Sequence, residues 1–230
     1  MTGRLLARRL RRDDAGLTMI ELLVASSLFL LLSGIVLGAT TTTSRVAEGQ
    51  RVTNDLNEEA RVLLNRISRE LREATEVRSV VNPVGVGYDP SGNSQITFWV
   101  DLDGNGSDVV APGGDPEVIT YRYQHDPAGG RVFLEVPGAT EPVLAGQVTR
   151  FDLTFTSRNY LYDGRLGGAK DGTVSWEELD SFPAGSAVGN GNRVLDAELA
   201  SIDSVRISFS VFKEPRTQSY QTQIALRNAS

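Results

Sequence analysis

Three stretches of the chain combine acidic residues, asparagine and glycine in the pattern of calcium-binding loops. Residues Asp101 to Ser107, DLDGNGS, begin like such a loop, in which side-chain oxygens recur at every second position and glycine allows the turn. The second half departs from the pattern, because the position of the bidentate glutamate holds Pro112. Turns favour Asp, Asn and Gly for backbone reasons alone, so a cation site and a plain turn both remain open here.

A second stretch matches the later half of the same pattern. Asp171 and Glu178 stand at the spacing of the fifth and twelfth positions of a calcium loop. The first and third positions would fall on Gly167 and Ala169, which have no side-chain oxygen. Asp163 is a further candidate ligand, brought close by the intervening glycine-rich turn.

A third partial match, NGNRVLDAE at residues 190–198, has its glycine displaced. Because three half-matches in one region exceed what turns require, we predict a calcium ion bound through Asp163, Asp171 and Glu178. Such a site would bind with a dissociation constant of about 10⁻⁴ to 10⁻³ M, as extracellular modules often do, and would order a glycine-rich loop. No other cofactor is required.

The remaining side chains exclude most familiar catalytic chemistry. The chain has no cysteine and a single histidine, His125, so disulfides, thiol nucleophiles and His or Cys zinc sites are excluded. No glycine-rich phosphate loop is found, and no pair of carboxylates is singled out by its spacing. A net charge of −6, from 23 basic and 29 acidic residues, argues against a nucleic-acid-binding surface. The sequence therefore predicts a protein that is not an enzyme and binds no nucleic acid.

The amino-terminal segment is basic and then strongly apolar. Its first sixteen residues contain five arginines and two aspartates, whereas the 23 residues from Leu17 to Ala39 contain one charge, Glu21. A run of this length can cross a bilayer as a helix. Because basic residues stay in the cytoplasm, everything after about residue 40 is expected outside it. We therefore predict a single-pass protein of the cytoplasmic membrane whose head lies outside the cytoplasm.

Glu21 does not fit a simple signal sequence. A cleaved signal peptide has a shorter apolar core, and a plain membrane anchor has no use for a carboxylate near its start. An unpaired carboxylate in hydrocarbon costs roughly 2.5 kcal/mol or more, so an acid in this place normally has a partner. Glu21 is accordingly a candidate functional residue.

The residues from Gly16 to Val24, GLTMIELLV, resemble the cleavage and methylation signature of type IV prepilins and type II secretion pseudopilins. The resemblance implies that a prepilin peptidase cuts between Gly16 and Leu17 and methylates the new amino terminus. It also implies that Glu21 pairs with the charged amino terminus of a neighbouring subunit during assembly.

The implied partners are other pilin or pseudopilin subunits, the prepilin peptidase and methylase, the inner-membrane assembly platform and membrane lipid. The implied location of the assembled protein is a pilus or pseudopilus at the cell surface or in the periplasm. The alternative is a single-pass, membrane-anchored extracellular binding domain that never polymerises.

A second helical segment follows the membrane run. Glycine and four threonines at residues 38–44 weaken helix propensity between the two and allow a bend or local unwinding. Beyond them, apolar residues recur at helical spacing and form one stripe: Val52, Leu56, Ala60, Leu63, Ile67, Leu71 and Ala74. We divide the chain into a cleaved basic leader (1–16), a transmembrane and assembly helix (17–39), an amphipathic helical stalk (40–81) and a β-rich globular head (82–230).

The head contains a series of strand-like segments: 96–100, 118–123, 131–136, 148–156, 204–212 and 219–226. The expected fold class is α+β, with one mostly antiparallel sheet packed on the second half of the long helix. This order of elements is similar to the pilin fold. A head of this size without cysteine most resembles those of W-type minor pilins and J-type pseudopilins.

Overall fold

A computed structural model describes residues 18–102, 104–106, 117–144, 147–165, 170–181, 189–214 and 216–226. The chain divides into two units, Met1–Glu48 and Gly49–Ser230. Helix α1, Met19–Glu73, contributes residues to both units.

In the first unit, the described residues belong to α1 apart from Thr18. By length and composition, α1 is the one helix in the described part of the chain that could cross a membrane. The threonine-rich segment is helical, with no unwinding. The hydroxyls of Thr41 and Thr43 donate to the carbonyls of Gly38 and Ala39, each at 2.9 Å, a back-bonding that helices tolerate.

In the second unit, α1 presents the predicted apolar stripe to a shared core. Leu56, Ala60, Leu63, Ile67 and Leu71 are all buried. Each buried Leu or Ile contributes about 1.5 to 3 kcal/mol relative to an exposed one, so the stripe fixes this half of the helix. Charged side chains lie beside the stripe, and Arg66 pairs with Glu70 one turn later at 3.0 Å.

The first sheet is an antiparallel meander of five strands in sequence order. Its strands are β1 (Glu76–Val81), β2 (Ser94–Trp99), β3 (Val118–Gln124), β4 (Arg131–Val136) and β5 (Ala139–Pro142). The register pairs Ile96 with Tyr121 and Tyr121 with Leu134, so that these three side chains share the buried face.

The second sheet has four antiparallel strands in the order β7-β6-β8-β9. They are β6 (Gln147–Ser157), β7 (Val174–Ser175), β8 (Ser204–Lys213) and β9 (Arg216–Ala225), and a five-residue helix, α2 (Trp176–Asp180), follows β7 directly. A bridge between Gly130 and Val148 connects the two sheets. Gly130 has no room for a side chain, because a Cβ atom there would lie 2.5 Å from the ring of Tyr123.

The buried faces of both sheets join the helical stripe in one hydrophobic core. Phe151 stacks between Tyr123 of the first sheet and Phe209 of the second, with ring centroids 6.1 and 6.3 Å apart. The α+β class and the packing of antiparallel strands against the long helix agree with the prediction.

Two expectations about the second unit were wrong. The helical stalk was predicted over residues 40–81. The helix instead ends at Glu73, and Glu76–Val81 forms the edge strand β1. The β-branched Val77 and Val80 pair there with Phe98 and Ile96, which stabilises a strand over a further helical turn. A single sheet was expected, and the described residues form two.

Candidate functional site

The start of α1 is a reciprocal capping arrangement of Thr18 and Glu21. The backbone N–H and the hydroxyl of Thr18 donate to Oε2 of Glu21 at 2.9 and 2.8 Å. The backbone N–H of Glu21 in turn contacts the threonine Oγ1 at 3.3 Å. This is a capping box, with threonine at the N-cap and glutamate three residues later, and it satisfies backbone donors that a helix start leaves without partners.

The helix that follows is apolar and exposed. Every large apolar side chain from Met19 to Leu37 is at least 54 % exposed. A monomeric soluble protein rarely exposes so continuous an apolar surface, which is instead typical of a segment that lies in lipid or packs against other subunits. The only acidic side chain in this part of the helix, Glu21, lies in its first turn, where the helix dipole favours a negative charge.

The family described as the prokaryotic N-terminal methylation motif matches residues 11–37. The chain carries the N-terminal methylation motif of type IV pilin-like proteins. The motif spans the end of the basic leader, the capping pair and most of the exposed apolar helix. No curated protein and no solved structure matches the chain significantly.

The methylation motif indicates a type IV pilin-like or pseudopilin-like subunit that is processed, and it implies a structural protein rather than an enzyme. Together with the apolar helix, it indicates a membrane-anchored protein that later joins a filament at the surface or in the periplasm. The predicted cleavage residues Gly16 and Leu17 lie outside the described residues, although the matched motif includes both.

The three predicted calcium ligands lie around one loop that leads into α2. The carboxylate of Asp163 accepts the backbone N–H groups of Asp171 and Gly172 at 3.1 and 3.0 Å. Oδ1 of Asp171 accepts the N–H of Thr173 at 2.8 Å, as in an Asx turn. A small apolar cluster of Tyr162, Val174 and Leu179 lies beside this loop.

Glu178 has a structural function in the same loop. Its Oε2 accepts the N–H of Ser175 at 2.8 Å, while the Ser175 hydroxyl caps the N–H of Glu178, which makes a second capping box. Its Oε1 accepts the N–H of Gly164 at 3.0 Å. The carboxylates of Asp163, Asp171 and Glu178 are thus bonded to backbone amides, and the calcium ion assigned to them stays a prediction.

The first calcium-like stretch is described only in part. Oδ2 of Asp101 accepts the N–H of Gly106 at 3.2 Å, and Oε1 of the buried Glu117 accepts the N–H of Leu102 at 3.2 Å. Asp103 and residues 107–116 lie outside the described residues.

The third stretch lies next to the end of α2. The carboxylate of Asp180 accepts three consecutive backbone N–H groups, from Gly191, Asn192 and Arg193, at 2.8, 3.2 and 2.7 Å. The side-chain amides of Asn190 and Asn192 donate to Asp196 at 3.1 and 2.8 Å. The sequence pattern identified this stretch only as a partial match and missed Asp180, which precedes it by ten residues.

No group of three or more His, Cys, Asp or Glu side chains in the described ranges is already arranged to hold a metal ion. A cation at any of these loops therefore requires side chains to move toward it.

Other polar contacts of the second unit are structural. The hydroxyl of Tyr121 donates to Glu70 at 2.5 Å and joins β3 to α1. Burial, and then a hydrogen bond to Asp152, raise the pKa of Tyr88 to about 12. His125 contacts the hydroxyl of Tyr123 through Nδ1 at 3.3 Å, in keeping with a packed residue after the end of β3.

Proposed function

We propose that the chain is a minor subunit, either a minor pilin or a pseudopilin, of a type IV pilus-like or type II secretion-like filament. The match to the methylation motif over residues 11–37 carries the proposal. In it, prepilin peptidase cuts after Gly16, the new terminus at Leu17 is methylated, and the subunit enters the filament through its amino-terminal helix.

The exposed apolar part of α1 supports this assignment. Before assembly, an apolar helix of this length is stable in lipid, where its backbone groups are satisfied internally. After assembly, packing against the helices of other subunits replaces the lipid contacts without exposing apolar surface to water. In the proposal, the head lies outside the cytoplasm, the basic leader lies inside it, and the inner-membrane assembly platform transfers the subunit between the two states.

Glu21 is the residue that distinguishes assembly from plain anchoring. In the proposal, its carboxylate pairs with the charged amino terminus of a neighbouring subunit, which would otherwise be an isolated charge in an apolar surrounding. Glu21 lies exposed in the first turn of α1, which is compatible with such a contact.

The head supports the assignment to minor subunits. It contains two sheets around one core and lacks cysteine, so it has no disulfide-closed carboxyl-terminal loop of the kind often found in major pilins. W-type minor pilins and J-type pseudopilins, which the sequence resembles, are the subunit types proposed.

The mature amino terminus tests this function. The native protein is recovered from membranes and from sheared filaments, and its terminus and intact mass are determined by mass spectrometry. We expect a methylated Leu17 in both fractions. A protein that keeps Met1, or begins elsewhere, would support the alternative, an anchored binding domain that does not polymerise. A Gly16→Val variant, whose branched side chain blocks the peptidase, should remain full-length and stay in the membrane.

A further inference from the structure

The tripeptide Gly-Asn-Gly occurs twice in the chain, at residues 104–106 and 189–191. An asparagine that precedes glycine is prone to spontaneous deamidation, because a residue without a side chain leaves its backbone nitrogen accessible to the neighbouring side-chain amide. Asn105 and Asn190 have glycine on both sides, and both are exposed. Immediate sequence and access to water therefore do not distinguish them, and a difference in reactivity has to come from how each backbone is held.

Deamidation requires the backbone nitrogen of the following glycine to reach the asparagine side chain. That nitrogen attacks Cγ, gives its proton to a solvent base and closes a succinimide ring. The bond from Cγ to the side-chain NH₂ breaks, and this group leaves as ammonia with a proton from solvent. Water then opens the ring at either carbonyl group, which produces aspartate or isoaspartate. Water is the only co-reactant, and nothing is oxidised or reduced.

Gly191, which follows Asn190, is anchored to the end of α2. Its N–H donates to both Oδ1 and the backbone carbonyl of Asp180, each at 2.8 Å. Asp180 is buried, and Gly189 lies so close to α2 that a Cβ atom there would be 2.1 Å from the carbonyl oxygen of Leu179. A nucleophilic amide nitrogen has to lose its proton, and a carboxylate that accepts the N–H disfavours that loss.

The side chain of Asn190 is held as well. Its Oδ1 accepts the N–H of Asn192 at 2.9 Å, and its Nδ2 donates to Oδ1 of Asp196 at 3.1 Å. Ring closure would have to break these bonds together with the two bonds from Gly191 to Asp180. The fold therefore fixes both the nucleophile and the amide, and each bond that must break raises the barrier to ring closure.

Asn105 lies in a loop with weaker support. The N–H of Gly106 donates to Oδ2 of Asp101 at 3.2 Å, the upper end of ordinary N–H···O distances. A Cβ atom on Gly104 or on Gly106 would meet no other described part of the chain within 4 Å. This backbone thus projects into open space, and it can rotate toward the side-chain amide without loss of packing.

We propose that Asn105 is a site of spontaneous deamidation in the folded protein, and that the bonds from Gly191 to Asp180 keep Asn190 intact. The reaction places a new carboxylate in the loop of Asp101, and the isoaspartate product adds a methylene group to the backbone. The loop therefore gains negative charge as the protein ages. This inference does not depend on the proposed filament function.

Peptide mapping by mass spectrometry tests the proposal on the full chain in detergent. The folded protein is incubated in mildly alkaline buffer made with water enriched in heavy oxygen, so that each opened ring carries the isotope. We expect the label at Asn105, and modification of Asn190 that is slower by about tenfold or more, because several hydrogen bonds must break first. In Asn105→Gln, whose longer side chain closes a ring far more slowly, position 105 should stay unlabelled.

The denatured protein is the matched control. In urea the two tripeptides lose their different surroundings, so Asn105 and Asn190 should react at similar rates. Folding should then slow the reaction of Asn190 by about tenfold or more and that of Asn105 much less. Asp180→Ala removes the side-chain acceptor of Gly191, and it should accelerate Asn190 without changing Asn105. A cooperative thermal transition establishes that this variant is folded, and the comparison of folded with denatured wild type decides without it.

Three results would overturn the proposal. The first is a folded wild type in which Asn105 stays unmodified although it reacts in urea. The second is a folded wild type in which Asn190 reacts as fast as Asn105. The third is a folded Asp180→Ala variant in which Asn190 reacts no faster than in the wild type, because its protection would then not come from this carboxylate.

Discussion

The hydroxyl and backbone N–H of Thr18 both bond to the same oxygen of Glu21, at 2.8 and 2.9 Å. Glu21 therefore has a partner within its own chain, at the helix start, where backbone donors would otherwise be unsatisfied. The proposed pairing with a neighbouring subunit adds to this contact, because a carboxylate has lone pairs for more than two donors. Substitutions at the two positions can separate the local function from the intersubunit one.

Glu21→Ala removes both functions, whereas Thr18→Ala removes only the cap. Loss of an N-cap side chain costs about 0.5 to 2 kcal/mol of helix stability, a local effect. We expect Glu21→Ala to insert into membranes at the wild-type level or better, because a costly carboxylate is gone, and to be strongly depleted from filaments. Thr18→Ala should be depleted much less. Quantitative blotting of membrane and sheared-filament fractions measures both.

Equal depletion of the two variants would mean that Glu21 acts through the cap alone. Recovery of Glu21→Ala in filaments at the wild-type level would remove the intersubunit pairing from the proposal altogether.

The apolar stripe of α1 anchors the helix to the sheets, and Ile67 lies fully buried within it. Ile67→Ala should lower the free energy of unfolding by about 2 to 5 kcal/mol, because methyl groups are lost and a cavity remains. Val62 is on the same helix but 64 % exposed, so Val62→Ala should change stability by less than about 0.5 kcal/mol. Chemical denaturation of the full chain in detergent, followed by tryptophan fluorescence, compares them. Equal losses of unfolding free energy in the two variants would show that burial of the stripe does not stabilise the packing of α1 on the sheets.

Periodicity was sufficient to predict the helical stripe and the six main strands. Leu56 to Leu71 recur every three or four residues, and Val205 to Val211 alternate, because each buried face has to be continuous. The end of the helix was not predictable in the same way. Ala74 and Val77 continue the helical spacing, yet Val77 pairs with Phe98 in β1, and such strand pairing depends on residues distant in the sequence.

In the acidic loops, too, only part of the arrangement could be predicted from the sequence. Asp171 and Glu178 were recognised by spacing, and their backbone partners are those of an ordered loop. Asp180 was missed because it belongs to α2 and meets Gly191 only when the chain returns. The burial of Glu198 has no sequence signal either, since a glutamate in an acidic, glycine-rich stretch is normally solvated.

Tyr121 joins β3 to α1 through its bond to Glu70 at 2.5 Å. Burial, and then this bond, raise the pKa of Tyr121 above its ordinary value. Tyr121→Phe should cost about 1.5 to 3 kcal/mol in the free energy of unfolding, the range for a hydrogen bond to a charged group. Tyr160 is 64 % exposed, and Tyr160→Phe should be neutral within about 0.5 kcal/mol. Denaturation midpoints of both variants at neutral pH measure these effects. An unchanged midpoint for Tyr121→Phe would show that the hydrogen bond from Tyr121 to Glu70 does not contribute to stability.

The buried carboxylate of Glu198 predicts a pH dependence of the free energy of unfolding. Its pKa in the folded chain is raised above the ordinary value of 4.5, first by burial and then by the charges of Asp180 and Asp196. A raised pKa means that the contribution of this group to stability is complete below pH 4.5 and is lost as the pH rises through the folded-state pKa.

Each unit of that elevation removes about 1.4 kcal/mol from the stability of the wild type at neutral pH. Glu198→Gln has no such loss. The variant should therefore match the wild type in acid and exceed it in stability near neutrality. Glu76→Gln, a substitution of a largely exposed glutamate in β1, controls for the change in net charge and should follow the wild type.

Denaturation with urea at a series of pH values measures these differences in unfolding free energy. A wild type that stays at or above Glu198→Gln at every pH would show that the carboxylate of Glu198 is adequately solvated or paired in the folded chain.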